Sequence, residues 1–409
     1  MSAAQPVRVG VLGRGTVGTA FVELLTARAG AVEAATGRRP EVVGVLRRSE
    51  GDFEEILAGS EIVVELIGGT DPARDYVLRA LRDGRHVVTA NKQLIAQHGD
   101  ELFEAARRAG VQLRFEAAVA GVIPVIRVIQ ESLSATEITR VFGIVNGTTN
   151  YILTEMARTG ASYEDALARA QELGYAEADP SDDVGGADAA AKMAILARLA
   201  FHTPVGLGDV AFEGIEAIQP DDLAYAKQFG LSLKLLGVAE HHDNEISVRV
   251  FPCFLYSGHP LAPVGGPFNA VMVESPSITE ITMSGPGAGG TETASAVLGD
   301  LVSIVAGDAP VHAPRERLEV TRDLDSAFYL HLEVADRPGV LAQVADVLGR
   351  NEVSVRSVVQ WGMGEDARLV MVMHQCAERR FYSALDEIAT LDFLRAEPRA
   401  IRVIEEEFV

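Results

Sequence analysis

Asp188 and Lys192 stand four residues apart, the spacing that brings two side chains together on one face of a helix. As a solvated pair they would contribute only about 0.3–0.5 kcal/mol. Ile195 and Leu199 continue the same stripe, however, so that face is expected to point inward. An inward carboxylate–ammonium pair is costly to desolvate, which marks a site rather than a decoration. The stretch leading to it, Gly174 to Lys192, is a polar loop with five carboxylates, among them Glu177 and Asp183, an early proline and the pair Gly185-Gly186. A second lysine, Lys92, closes Thr89-Ala-Asn-Lys92 at the carboxyl end of a predicted parallel strand, where open α/β sheets bind ligands. A lysine facing solvent at a helix N-terminus is the alternative.

Gly13, Gly15 and Gly18 form GxGxxG, with Arg14, Thr16 and Val17 between them, directly after an apolar strand and at the start of a helix. Glycine allows the tight turn and the close approach of a pyrophosphate, whose charge the helix N-terminus meets. The pattern alone is weak, but strand before and helix after strengthen the reading of dinucleotide binding. The second strand ends in Arg47 and Arg48 rather than in the acidic residue of an NAD-selective site. Arginine there suits a 2′-phosphate, so NADP is favoured over NAD, with solvated surface arginines as the alternative.

The elements that must position these residues follow from periodicity. Val7–Leu12, Val42–Leu46, Ile62–Ile67, His86–Thr89, Val111–Phe115 and Ile138–Val145 read as strands alternating with helical patterns, which argues for a Rossmann-like, doubly wound parallel sheet over residues 1–145. Residues 146–307 read as a mixed α+β substrate domain, with helices near 148–159, 162–173 and 187–201, strands at Ile246–Phe251 and Val271–Glu274, and a helix at about 290–306. Asp308–Asp325 fits a linker. Over 326–409 the order βαββαβ predicts a ferredoxin-like module: Phe328–Val334, a helix from Val340, Val353–Val359, Leu369–Met373, Arg380–Leu391 and Ala400–Ile404.

Composition narrows the function classes. A formal net charge of −22 repels nucleic acid and anionic membrane surfaces, so neither is an expected partner. Two distant cysteines, Cys253 and Cys376, give no disulfide framework, and no signal peptide or spanning segment is evident, which suits the cytoplasm.

Ala170 through Lys192 fits, without a departure, the homoserine dehydrogenase signature A-x3-G-Y-A-x2-D-P-x2-D-V-x-G-x-D-x3-K. The resemblance extends over Val64-Glu-Leu-Ile-Gly-Gly69, Thr89–Lys92, Glu116–Pro124, Asn146-Gly-Thr-Thr-Asn150 and Gly285–Asp300, and so over almost all of residues 7–306. It implies reduction of aspartate 4-semialdehyde to L-homoserine with NAD(P)H. By this resemblance Lys192 is the proton donor to the carbonyl oxygen, which gains charge as hydride arrives. Asp188 holds substrate and lysine, Glu177 binds the substrate's amino group, and Asp183 shares the acidic pocket with Gly147 and Thr148. Lys92 is the second active-site lysine, beside nicotinamide and substrate, and Gly289 belongs to a segment returning to the cofactor, with the helix after it packing on the first domain. Glu116, Val119, Gly121 and Ile123 match positions that hold a monovalent cation, usually sodium, largely through backbone oxygens; from the residues alone this segment reads as strand–turn–helix. One departure is the connection Arg47–Glu61, shorter than in many family members and beside the expected adenosine pocket, which leaves NAD against NADP open.

Ala335-Asp-Arg-Pro-Gly-Val-Leu341 resembles the DRPG turn of ACT domains. That likeness implies an amino-acid effector, threonine, and feedback control, with structural dimerisation as the alternative. By the family resemblance a homo-oligomer is expected, a dimer with dimerisation through the substrate domain or a tetramer, and a fused aspartate kinase is not. Another amino-acid dehydrogenase leaves the 170–192 signature unexplained; a silent dinucleotide sensor would have no need of both lysines and Asp188.

Overall fold

Apolar runs without alternation form the first sheet, because helices cover both of its faces. In this computed structural model, which describes residues 6–48, 50–307, 318–322, 324–362 and 367–404, β1 (Val7–Leu12), β2 (Pro40–Leu46), β3 (Ile62–Glu65), β4 (His86–Thr89) and β5 (Leu113–Arg114) pair in parallel in the order β2-β1-β3-β4-β5. Helices α1 (Thr16–Thr36), α2 (Phe53–Gly59), α3 (Ala73–Arg82) and α4 (Lys92–Ala109) connect them. The winding reverses between β1 and β3, which opens a crevice at the carboxyl ends of these strands.

The sixth strand expected at Ile138–Val145 does not join this sheet. A 3₁₀ turn at Glu116–Ala118 and the short α5 (Val125–Arg127) lead the chain away, and β6 (Arg140–Ile144) pairs antiparallel with two strands of a second sheet. A short apolar run carries no mark of the sheet it will enter.

That second sheet runs β11 (Thr279–Pro286), β10 (Phe268–Ser275), β6, β8 (Leu231–His242), β9 (Glu245–Tyr256), and then continues without a break into the C-terminal module. Between β6 and β8 the chain forms α6 (Gly147–Thr159), α7 (Tyr163–Glu172), α8 (Ser181–Val184), α9 (Ala187–Phe201) and α10 (Pro220–Gln228). Helix α9 lies close on the sheet because Gly143 and Gly237, paired in register, leave room for Met193. A Cβ on Gly143 would come within 3.0 Å of the Met193 sulfur, and one on Gly237 would overlap its side chain. The depth of Lys192, one residue earlier, is set by this fit. Helix α11 (Gly290–Ala306) returns to the first unit as expected, burying Ala294, Val297 and Leu301 with Phe21 and Leu25 of α1.

The C-terminal module has the expected order: β13 (Asp325–Glu333), α12 (Val340–Arg350), β14 (Val355–Trp361), β15 (Arg368–Met373), α13 (Glu378–Ala389) and β17 (Arg399–Ile404), with a small β16 (Cys376–Ala377) against β13. Phe328 stacks on Phe381 at 3.7 Å between ring centroids in its core. Its outer strand β17 pairs in parallel with β9, Arg402 opposite Cys253 and Ile404 opposite Leu255. The same edge of β9 also receives β7 (Ala211–Phe212) and β12 (Glu319–Val320). Most of the linker expected over Asp308–Asp325 lies outside the described residues. No described helix is long and apolar enough to cross a membrane.

Candidate active site

The glycine-rich loop has the geometry of a phosphate cradle. Gly13 donates its N–H to the Leu46 carbonyl at 3.0 Å and takes a φ of +102°, and a Cβ there would stand 2.5 Å from the Leu66 carbonyl oxygen. Gly18 packs on the Gly13 carbonyl, while beside Gly15, the cap of α1, nothing lies within 4 Å of where a Cβ would be. That open space fronts the N–H groups of a 21-residue helix, a place for a pyrophosphate. Arg14 is exposed on the loop, and Thr16 and Val17 open the helix. Arg47 and Arg48 follow β2, Arg47 pairing with Glu50 at 2.7 Å and Arg48 exposed. Gly289, at a φ of +146°, caps α11.

The signature residues converge on one carboxylate. Asp188, in the first turn of α9, is 4% exposed. Its Oδ2 accepts from Lys192 Nζ at 2.7 Å and its Oδ1 accepts from Lys92 Nζ. Lys192 Nζ also donates to the Val145 carbonyl at 2.8 Å. Burial alone would raise the Asp188 carboxyl, but the Lys192 and Lys92 ammonium groups outweigh it and hold the group well below the usual carboxylate range. Burial also works against charge on Lys92, and there too Asp188 prevails and shifts the ammonium upward.

Asn146 completes the cluster. Its Oδ1 caps α6 by accepting from the Thr149 N–H at 2.8 Å, while its Nδ2 donates to Asp183 Oδ1 at 2.7 Å and to Asp188 Oδ2 at 2.9 Å. Thr148 donates to the Tyr175 carbonyl at 2.6 Å and stands 3.3 Å from Asp183 Oδ2. Burial and the nearby Asp188 push the Asp183 carboxyl up. Gly147 starts α6, where a Cβ would meet the Pro267 carbonyl at 2.7 Å. Glu177 is exposed on the same loop, outside this network, with only its carbonyl engaged, by Gln171. The part of Asn146 is missing from the sequence reading: an asparagine before a helix signals a cap, but nothing local shows that its amide end meets two aspartates.

Both lysines face a cleft of about 290 Å³ between the two sheets, which Val17, Gly68, Gly121, Gly287 and Thr293 also line. Two ammonium groups and two carboxylates thus stand at the crevice where the dinucleotide cradle opens. They can bind a zwitterionic substrate and pass a proton to an oxygen that gains charge.

The loop behind the cleft differs from the strand–turn–helix read from its residues. Glu116 is 4% exposed, and its two carboxylate oxygens accept the N–H groups of Ile126 and Arg127 at 2.8 and 2.9 Å. Burial and the Asp300 carboxylate push it up to about 7. Ala120 and Gly121 follow with φ of +57° and +62°, packed against Pro286 and Gly287, before Ile123. No group of three or more His, Cys, Asp or Glu suited to a metal occurs among the described residues.

Residues 124–302 match the family model described as Homoserine dehydrogenase, residues 13–116 that of Homoserine dehydrogenase, NAD binding domain, and residues 329–393 that of the ACT domain. The homoserine dehydrogenase of Corynebacterium glutamicum is 42% identical over 96% of this chain and 93% of its own length. That of Mycobacterium tuberculosis is 42% identical over 98% of each. The crystal structure of a homoserine dehydrogenase from Thiobacillus denitrificans superposes with a TM-score of 0.94 at 36% identity, covering 98% of this chain and 99% of that one. A hyperthermophilic archaeal homoserine dehydrogenase in complex with NADPH gives a TM-score of 0.65 at 27% identity, covering 75% of this chain and 99% of that one. The two sheets, the glycine cradle and the carboxylate shared by two lysines therefore belong to an oxidoreductase: the chain is a member of the homoserine dehydrogenase family, with an NAD-binding domain and a C-terminal ACT domain.

Proposed function

We propose that the chain interconverts L-aspartate 4-semialdehyde and L-homoserine, in threonine and methionine biosynthesis, with NADP favoured over NAD. The observation that carries this is Asp188, one buried carboxylate gripped by Lys92 and Lys192 at the cleft. A bound nicotinamide dinucleotide supplies hydride to the carbonyl carbon or takes it back. Lys192 Nζ gives the proton that the substrate oxygen takes up, and its ammonium stabilises that oxygen as charge develops. Asp188 keeps both lysines aimed at that point, and Lys92 closes the nicotinamide side. Asp183, Thr148 and Gly147 shape the polar end of the substrate site, with Glu177 as the ligand for the substrate's ammonium group.

Arg47 and Arg48, after β2, are the groups suited to a 2′-phosphate. A monovalent cation, sodium, suits the backbone oxygens of Val119, Gly121 and Ile123 beside Glu116, since hard ions take oxygen ligands, although Arg127, 3.5 Å from Asp300, offsets part of the carboxylate charge there. In the division of labour we favour, the first sheet with its helices and the returning α11 hold the dinucleotide, the second sheet from β6 to β11 with α6 to α10 the substrate, and 326–409 an amino-acid effector, threonine, in a dimer or tetramer. The free cysteines Cys253 and Cys376 fit a reducing cytoplasm. The test is oxidation of L-homoserine with NADP+ or NAD+ at alkaline pH, with sodium, with and without threonine. Turnover is expected, faster at low NADP+ than at equal NAD+, and lower when threonine is added. No turnover with either nucleotide overturns the reading.

A further inference from the structure

Glu65 ends β3 fully buried, and no cation is among its hydrogen-bond partners. Its Oε1 accepts the N–H of Ile67 at 2.7 Å and of Gly68 at 3.3 Å, in the loop that borders the cleft after β3. Its Oε2 accepts from Thr89 Oγ1 at 2.6 Å, at the end of β4. Thr89 Oγ1 in turn accepts the Asn91 N–H at 3.0 Å. Asn91 then caps α4, with its Oδ1 accepting from the Leu94 N–H at 3.1 Å, and reaches back through Nδ2 to the Gly69 carbonyl at 2.5 Å. The next residue is Lys92.

A buried carboxylate held only by neutral donors is expensive to desolvate. Burial accordingly pushes the Glu65 carboxyl up against the pull of its hydrogen bonds. An apolar side chain at this strand end would leave the Ile67 and Gly68 N–H groups and the Thr89 hydroxyl without this acceptor. What the carboxylate achieves is geometric: it ties the loop after β3 to the loop after β4 at a single point, one on each side of the cleft where the nicotinamide end of the cradle opens.

We propose that Glu65 is a positioning residue for Lys92, registering the two loops so that the Lys92 ammonium meets Asp188 across the cleft. The proposal rests on the reading of Lys92 as an active-site lysine. Glu65 is fully buried, and it acts through Thr89 and Asn91.

The test uses the full chain and three variants, Glu65→Gln, Thr89→Val and Thr89→Ser, with kcat and KM for L-homoserine, the NADPH dissociation constant and the melting midpoint measured for each. A misplacement of about 1 Å costs on the order of 10²-fold, so kcat in Glu65→Gln and Thr89→Val should fall by roughly 10–100-fold while the NADPH dissociation constant moves by less than about threefold. Thr89→Ser keeps the hydroxyl and should restore kcat. The pH profile of kcat in Glu65→Gln should shift, because Lys92 would be less firmly held to Asp188. An unchanged kcat in a folded Glu65→Gln, or equal losses in Thr89→Val and Thr89→Ser, overturns the proposal while leaving the homoserine reading intact. Absence of turnover in the unsubstituted chain overturns both.

Discussion

Two buried aspartates, Asp188 and Asp222, sit in similar surroundings and do different work. Asp222, 1% exposed on α10, lies where the C-terminal module meets the substrate domain. It accepts from Arg399 Nε of β17 at 3.2 Å and stands 2.9 Å from Nδ1 of the buried His331 on β13, with the Tyr225 ring edge-on to that imidazole at 5.4 Å. Arg399 also reaches Glu333 at 3.2 Å. The partners of Asp188 are lysines that border an open cleft; the chief partner of Asp222 is a guanidinium in a closed joint. A lysine ammonium can pass a proton to a strong base such as an oxygen gaining charge, whereas arginine stays charged and its planar fork fixes direction. In the function proposed above the first cluster moves a proton, whereas the second joins two parts of the chain.

Removing one member of each cluster should separate these roles. Lys192→Ala is expected to lower kcat by roughly 10²–10⁴-fold, the usual contribution of a positioned proton donor, while NADPH binding followed by fluorescence stays close to that of the unsubstituted chain. Retained turnover would refute the assigned donor. Asp222→Ala should leave turnover of the folded chain nearly intact but reduce the unfolding free energy by about 1–3 kcal/mol, because the buried His331 loses its acid partner while the half-buried Arg399 keeps Glu333; a urea midpoint that scarcely moves would show the joint to be dispensable.

The smallest effect belongs to a third buried charge. Lys234, 5% exposed, donates to the Val264 carbonyl at 2.5 Å and to Asn150 Oδ1 at 3.3 Å, and burial pushes its ammonium down to about 8. A lysine depressed in the folded state binds its proton more weakly there than when unfolded, so stability should rise as pH climbs from about 8 towards about 10.4. Lys234→Met should be more stable than the parent near pH 7 by about 1–2 kcal/mol, with the gap closing near the top of that window. A variant that is weaker at neutral pH with the same pH slope would mean that the two hydrogen bonds outweigh the desolvation.

Both the helix that carries Asp188 and Lys192 and the inward direction of its face were legible from spacing, because a 3.6-residue period records which side is buried. Lys92 follows β4, as read from the rule that open α/β sheets bind ligands at the carboxyl ends of their strands. The junction of Asn146 with Asp183 was not legible, since the two are 37 positions apart and no local pattern records that an amide joins them. The sheet allegiance of β6 was hidden for the same reason, and so were β8 and β11. In β8 the run Leu233–Ala239 is buried throughout, which erases the alternation that marks a strand. Glu65 was visible only as a letter in Val64–Gly69.

The outer edge of β9 is covered piecemeal, by β12 near its start, β7 in its middle and β17 at its end, where Cys253, Phe254 and Leu255 are almost completely buried. Cutting the chain before Asp325, a direct way to test the proposed effector role, would strip the last of these covers. The shortened protein would present a bare, apolar strand end with unpaired N–H and C=O groups to any neighbour in solution, an invitation to stack edge to edge. Substitutions inside the C-terminal module are therefore the safer test of the proposed effector role, and a truncated form should need a charged residue or a proline introduced along 253–255 to remain dispersed.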